Sequence, residues 1–166
     1  MAEAGLGSAG VPKVSEHDHA RGPLDAPLLI EYADFECPYC AALSTRLADR
    51  QLRRVFRHFP VRSSHPRAWP AACAAEAAAL QGRFWEMHDL LFVDRARLED
   101  PHLWERARAL GLDIERFDAD RRSEAVRARV RHDFESGVRA GVVTTPTVFT
   151  GGQMCAGSDA LELSRP

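Results

Sequence analysis

Cys37-Pro38-Tyr39-Cys40 stands on a boundary between two kinds of sequence. An apolar run, residues 27–32, leads into it, and a helix-like run, residues 41–50, leads out. A strand that delivers two cysteines to the start of a helix constrains the fold strongly. Both sulfurs must lie within one turn of each other, and the unpaired N–H groups of the first turn point at the leading one. A second segment, Thr144-Thr145-Pro146-Thr147-Val148-Phe149, lies far downstream and has strand character opening on a proline.

The pattern between these points predicts the organisation. Residues 27–34 read as a buried strand and residues 40–51 as a helix, with Leu43 and Leu47 one turn apart on its inner face. Residues 52–61, with Val55, Phe56 and Phe59, read as a second strand. A helix joins the two strands, so they are expected to run parallel in a βαβ unit. From residue 66 to about 140 the pattern is helical: 69–80 is alanine-rich, and 83–92, 101–110, 113–120 and 123–139 follow, with Gly111 placed as a C-cap. Strand character returns at 146–150. Gly151-Gly152 suits a tight turn and 153–156 a return strand, and Gly157-Ser158-Asp159 suits the start of a short last helix. The expected domains are a flexible lead over residues 1–24, a core formed by 25–64 and 141–166, and a helical insertion over 65–140. The expected fold is therefore α/β, a mixed sheet with flanking helices and an inserted helical domain.

Composition excludes several functions. The chain has 166 residues, 45% of them hydrophobic and 28% charged, with a net charge of −2, so no field attracts nucleic acid or an anionic membrane. No apolar run approaches the roughly 20 residues that span a bilayer. Four cysteines are too sparse for a disulfide scaffold. The lead has no basic start followed by an apolar core, so no export signal is read, and a cytoplasmic location is expected unless the chain is a mature form.

The chemistry follows from the position of the sulfurs. The thiolate is the nucleophile, and a helix start favours negative charge, so Cys37 is expected to titrate low and to attack. Pro38 suits the first helical turn, where its missing N–H costs nothing. Cys40, one turn inward, is the expected resolving thiol. A structural disulfide or half of a zinc site are the alternatives, but zinc needs about four N or S ligands, and Cys73 and Cys155 stand alone. Cys73 reads as a small buried hydrophobe. Glu31 shares a strand face with Leu29 and Ala33. A carboxylate there is costly to bury; it is either a proton acceptor for Cys40 or a solvated edge residue. Asp34 and Glu36 are expected to be exposed, with Glu36 disfavouring the Cys37 thiolate by like charge. His58 and His88 read as core or capping residues. His17, Asp18 and His19 lie in the lead, where metal binding would be weak, and no metal site is expected.

Four segments in this order, Asp34-Phe35-Glu36-Cys37-Pro38-Tyr39-Cys40, Arg57-His58-Phe59-Pro60, residues 81–92, and Thr145-Pro146-Thr147-Val148-Phe149, resemble the DsbA-like thioredoxin-fold oxidoreductases. The resemblance covers residues 24 to 160. It implies a thioredoxin-like core split by a helical domain, with Cys37 as nucleophile, Cys40 as resolving cysteine and Glu31 at the position of the family's buried acid. It further implies that Pro146 is a cis-proline facing the cysteines, and that Thr145, with Pro38 and Tyr39, meets the substrate. Tyr39 departs from the strongly oxidising pattern, where a histidine precedes the second cysteine; a tyrosine adds no positive charge, and an intermediate reduction potential is expected.

The expected activity is thiol–disulfide exchange with protein substrates carrying disulfides or thiols, or with glutathione, and without a bound cofactor. Two other readings stay open. One is a glutathione-linked isomerase or transferase of related fold, against which Cys40 argues. The other is a peptide-binding or chaperone module that uses the same groove without turnover.

Overall fold

The computed structural model describes residues 10–162. Its centre is a βαβ unit. Strand β2 (Leu28–Ala33) passes through helix α1 (Pro38–Leu47) into strand β3 (Arg53–His58), which runs parallel to β2 with Ile30 opposite Val55. Strand β4 (Thr147–Thr150) adds antiparallel to the other side of β2, and β5 (Gln153–Ala156) closes a hairpin with it. Gly151 and Gly152 both take positive φ, 55° and 78°, in the hairpin turn. Only glycine enters that region without a steric cost. The short helix α7 (Ser158–Glu162) then lies beside α1.

One strand falls where none was expected. Residues 19–21 form β1 (His19–Arg21), antiparallel to β3 at the sheet edge, giving the order β1-β3-β2-β4-β5. This corrects the reading of residues 10–24 as a flexible lead; residues 1–9 lie outside the described part. The physical reason is lateral anchoring that three residues of strand could not supply alone. Asp18 accepts from Nε of the buried Arg57 at 2.8 Å, the His19 ring stacks on Phe84 at 3.5 Å between centroids, and Arg21 pairs with Asp89 at 2.9 Å. A second, smaller correction concerns α1, which begins at Pro38 and ends at Leu47, ahead of the expected 40–51.

Five helices separate β3 from β4: α2 (Ala68–Ala79), α3 (Phe84–Val93), α4 (His102–Ala109), α5 (Ile114–Asp120) and α6 (Glu124–Arg139). Side-chain caps define two of their starts. Asp113 accepts from the Arg116 amide and Ser123 from the Val126 amide, each satisfying a donor the helix leaves free. The alanines of α2 let its neighbours approach closely, and most of the helix is buried.

Strand β2 is covered on both faces. Ile30 and Tyr32 pack with Val55, Phe59, Ala140, Val142 and Phe149. On the other face Leu29 meets Leu43 and Leu47 of α1 and Ala160 of α7. Beyond Ala33, the largest cluster joins Phe35, Cys37, Cys40 and Phe56 to Met87, Leu91 and Leu103 of the inserted helices. The cysteines therefore sit where the sheet, α1 and the inserted helices share one core.

Candidate active site

Chain direction brings the two predicted segments together. Because β4 is antiparallel to β2, its first residue, Thr147, lies opposite Tyr32, next to the end of β2 from which the chain runs to the cysteines. The turn just before β4 thus faces the start of α1. Its shape is fixed by the Thr147 hydroxyl, which donates to the Thr144 carbonyl at 2.7 Å, and by the Gly157 amide, which donates to the Pro146 carbonyl at 2.8 Å. The Thr145–Pro146 peptide bond is cis.

Cys37 is the N-cap residue of α1, with extended backbone (φ −71°, ψ 123°) and Pro38 following as the first helical residue. Its Sγ lies 3.5 Å from the Thr145 carbonyl oxygen, to which the thiol donates. Cys40 is buried one turn further in, and its Sγ accepts from the Asp34 amide at 3.5 Å. All four cysteines are thiols here. The thiol of Cys37 is drawn down to about 6, chiefly by a hydrogen bond from Cys40; burial opposes this, and further hydrogen bonds from the Thr145 side chain and from the Cys40 and Tyr39 amides add to it. Cys40 moves the opposite way, well above the ordinary thiol range, because it is buried and because a thiolate on Cys37 repels a second one. Two identical side chains thus differ in the sense that nucleophilic exchange needs. Tyr39 is exposed beside them.

Glu31 is buried, and its Oε1 accepts from Nη2 of the equally buried Arg54 at 2.6 Å. No hydrogen bond among the described residues joins Glu31 to either sulfur. The alternative of a solvated edge residue is corrected: β2 is an inner strand with both faces covered.

Asp34 and Glu36 overturn the expectation of exposure, since both are buried. Asp34 gathers the amides of Glu36 (2.8 Å) and Val61 (2.9 Å) and Nδ1 of His65 (2.8 Å), tying the segment before Cys37 to the segment after β3. Glu36 accepts from the Arg67 amide at 2.8 Å and from its guanidinium at 2.9 Å. The partner arginine offsets the like charge that was expected to work against the Cys37 thiolate. Sequence alone gave little sign of this, because Arg67 lies 31 residues from Glu36 and belongs to the start of α2. Cys73 is buried against Val126 and Val130, and burial pushes its thiol up to about 11. Cys155 packs in a different cluster, beside Leu29 and Leu47.

Comparison with known proteins agrees with this geometry. The model of the thioredoxin family matches residues 14–164. A thioredoxin-like oxidoreductase from Silicibacter pomeroyi DSS-3 superposes with a TM-score of 0.76 at 24% identity, covering 91% of this chain and 94% of that one. The thiol-disulfide exchange protein alpha-DsbA2 from Wolbachia pipientis superposes at 0.74 with 18% identity, covering 87% and 82%. These likenesses establish the DsbA-like thioredoxin fold. Among curated sequences, a protein named Na(+)/H(+) antiporter NhaA 1 from Mycolicibacterium gilvum is 46% identical over 160 residues, which is 90% of this chain and 26% of that protein. The chain spans about a quarter of the length of such relatives.

Proposed function

The chain belongs to the thioredoxin family, and from that membership and the asymmetry between its two leading cysteines we propose that it is a thiol–disulfide oxidoreductase acting on protein substrates through Cys37 and Cys40. The observation that carries the reading is the placement of Cys37 at a helix start, against the Thr145 carbonyl that precedes Pro146, with Cys40 buried one turn inward.

In the reducing direction the Cys37 thiolate attacks one sulfur of a substrate disulfide. A bond forms between that sulfur and Sγ of Cys37, the substrate S–S bond breaks, and the other sulfur leaves as a thiolate. Cys40 then attacks Sγ of Cys37, forming the Cys37–Cys40 disulfide and expelling the second substrate thiolate. The Cys40 proton goes to one departing thiolate and the other takes from solvent the proton that Cys37 released on ionising, so two substrate thiols form as the cysteine pair is oxidised. Reversal of these steps oxidises a dithiol. The role expected for Glu31 as acceptor of that proton gains no support from its hydrogen bonds, which go to Arg54. The Thr145 backbone, beside the sulfur, offers the edge on which an extended substrate can pair. Pro38 and Tyr39 border the same approach, and Tyr39 presents an exposed ring to it. Ion transport, which the names of the longer relatives describe, is not carried over, because only about a quarter of their length is matched.

The test is reduction of insulin by the full chain in the presence of a thiol donor. Cys37→Ser is expected to abolish turnover, and Cys40→Ser to accumulate a mixed disulfide at Cys37. Turnover that survives Cys37→Ser would sink the reading. Equilibration with glutathione buffers then fixes the potential and the favoured direction.

A further inference from the structure

Away from the cysteines, three side chains from three separate elements converge on one point. Nε2 of His19 on β1 and Nε2 of His58 on β3 each lie 2.7 Å from Oε1 of Glu76 on α2. All three atoms fall within 4.8 Å of one another. His58 and Glu76 are 1% and 5% exposed, while His19, on the edge strand, keeps part of its ring within reach of solvent.

The donor types select a ligand. Two imidazoles and one carboxylate form a set that suits zinc and similar divalent ions, with a fourth position left for water. Zinc bonds of about 2.0–2.1 Å would hold these donors about 3.3 Å apart, so the cluster has to open by about half an ångström. Charge favours the ion as well. No lysine or arginine among the described residues forms an ion pair with Glu76. Arg129 is near enough to feel the Glu76 charge, but its guanidinium is bonded to Oδ1 of Asp133, whose other oxygen receives the His58 amide. A divalent ion would place a positive charge in direct contact with the carboxylate. The His58 ring is also free to present a lone pair, since its buried Nδ1 has no hydrogen-bond partner. Without metal the Nε2–H of His58 is held by the Glu76 carboxylate; a metal on Nε2 requires that proton to move to Nδ1.

We propose that His19, His58 and Glu76 form a divalent-cation site of the zinc class, distinct from the cysteine pair, in which the ion fastens β1 to β3 and α2. The site does not depend on the reading of the cysteines as redox-active.

The experiment uses the full chain with all four cysteines, Cys37, Cys40, Cys73 and Cys155, replaced by serine, which removes the competing thiols. Titration with Zn²⁺ by calorimetry is expected to give one equivalent bound and a raised melting temperature. Titration with Co²⁺ is expected to give visible d–d bands. Adding His19→Ala, the least buried of the three, is expected to weaken binding at least about tenfold while the metal-free far-ultraviolet spectrum is unchanged. Glu76→Asp, which keeps the charge but shortens the reach, is expected to weaken it too. Absence of binding by the folded protein, or affinity untouched by His19→Ala, would each overturn the proposal.

Discussion

Cys37 and Cys40 carry the same side chain, and their difference is wholly environmental. The reactivity of the reduced protein is therefore expected to have one low titration. The thiolate fraction of Cys37 rises as pH passes through about 6, so its alkylation rate by iodoacetamide should be half-maximal there and flat above pH 8. Cys40, which titrates well above the ordinary thiol range, should stay unmodified across the same interval. Peptide mass mapping of each cysteine against pH checks this, and a Cys37 that alkylates like free cysteine would count against the helix-start argument. Glu31 and Arg54 make a second residue-scale case. Both ions are buried, and removing one strands the other, which costs about 3–5 kcal/mol. Arg54→Met should lower unfolding free energy by about that much in urea, and Arg54→Met with Glu31→Gln by clearly less. Equal losses would mean that the pair is not the interaction being broken.

At the scale of the element, packing sets limits that local propensity does not reveal. Gly137 lies inside α6, where a glycine is intrinsically unfavourable. A Cβ there would come 2.7 Å from a Phe59 ring carbon and 2.9 Å from a Tyr32 ring carbon. Gly137→Ala should therefore destabilise the fold by about 1–3 kcal/mol despite the gain in helix propensity, as overpacked cores do; a higher melting temperature for the variant would contradict the close approach. The helices α2 to α6 and the strands β2 to β5 were legible because each carries its own period and punctuation, such as the alanine run of α2, Gly111 after α4 and the Gly-Gly turn before β5. Strand β1 was not legible. It has three residues, and what holds it, Arg57, Glu76, Phe84 and Asp89, comes from elsewhere in the chain. The same limit applied to the site. The sulfurs and Pro146 announce themselves by motif, whereas the burial of Asp34 and Glu36 and the Arg67 clamp exist only once α2 is folded against the cysteine segment.

Over the whole molecule, buried or bonded carboxylates and a buried histidine give stability one sign with pH. Glu76 and Asp18 titrate below their ordinary range, and Asp89 is brought down to about 2. His88 is pushed down to about 4, chiefly by burial. Groups whose folded values lie below their unfolded ones contribute fully above the unfolded values and lose that contribution as pH falls through the folded ones. Unfolding free energy should therefore be greatest above about pH 6.5, decline through 4 as the unfolded state takes up a proton on His88, and drop further toward 2 as the carboxylates follow. Chemical denaturation at several pH values tests the sign. A stability maximum near pH 4 would contradict it.

Strand order has a consequence for how the molecule is made. The side of β2 that faces β4 has no partner until residues 147–150 exist, yet β3 follows β2 closely in the chain. Roughly 90 residues separate the end of β3 from the start of β4, which a ribosome takes about 5–18 s to add. Throughout that interval a central strand presents an open hydrogen-bonding edge, and Cys37 lacks the Thr145 carbonyl that later stands against it. A nascent chain halted near residue 140 would carry an adhesive edge and an unshielded nucleophile together, making that stage of synthesis the one most in need of a holding chaperone.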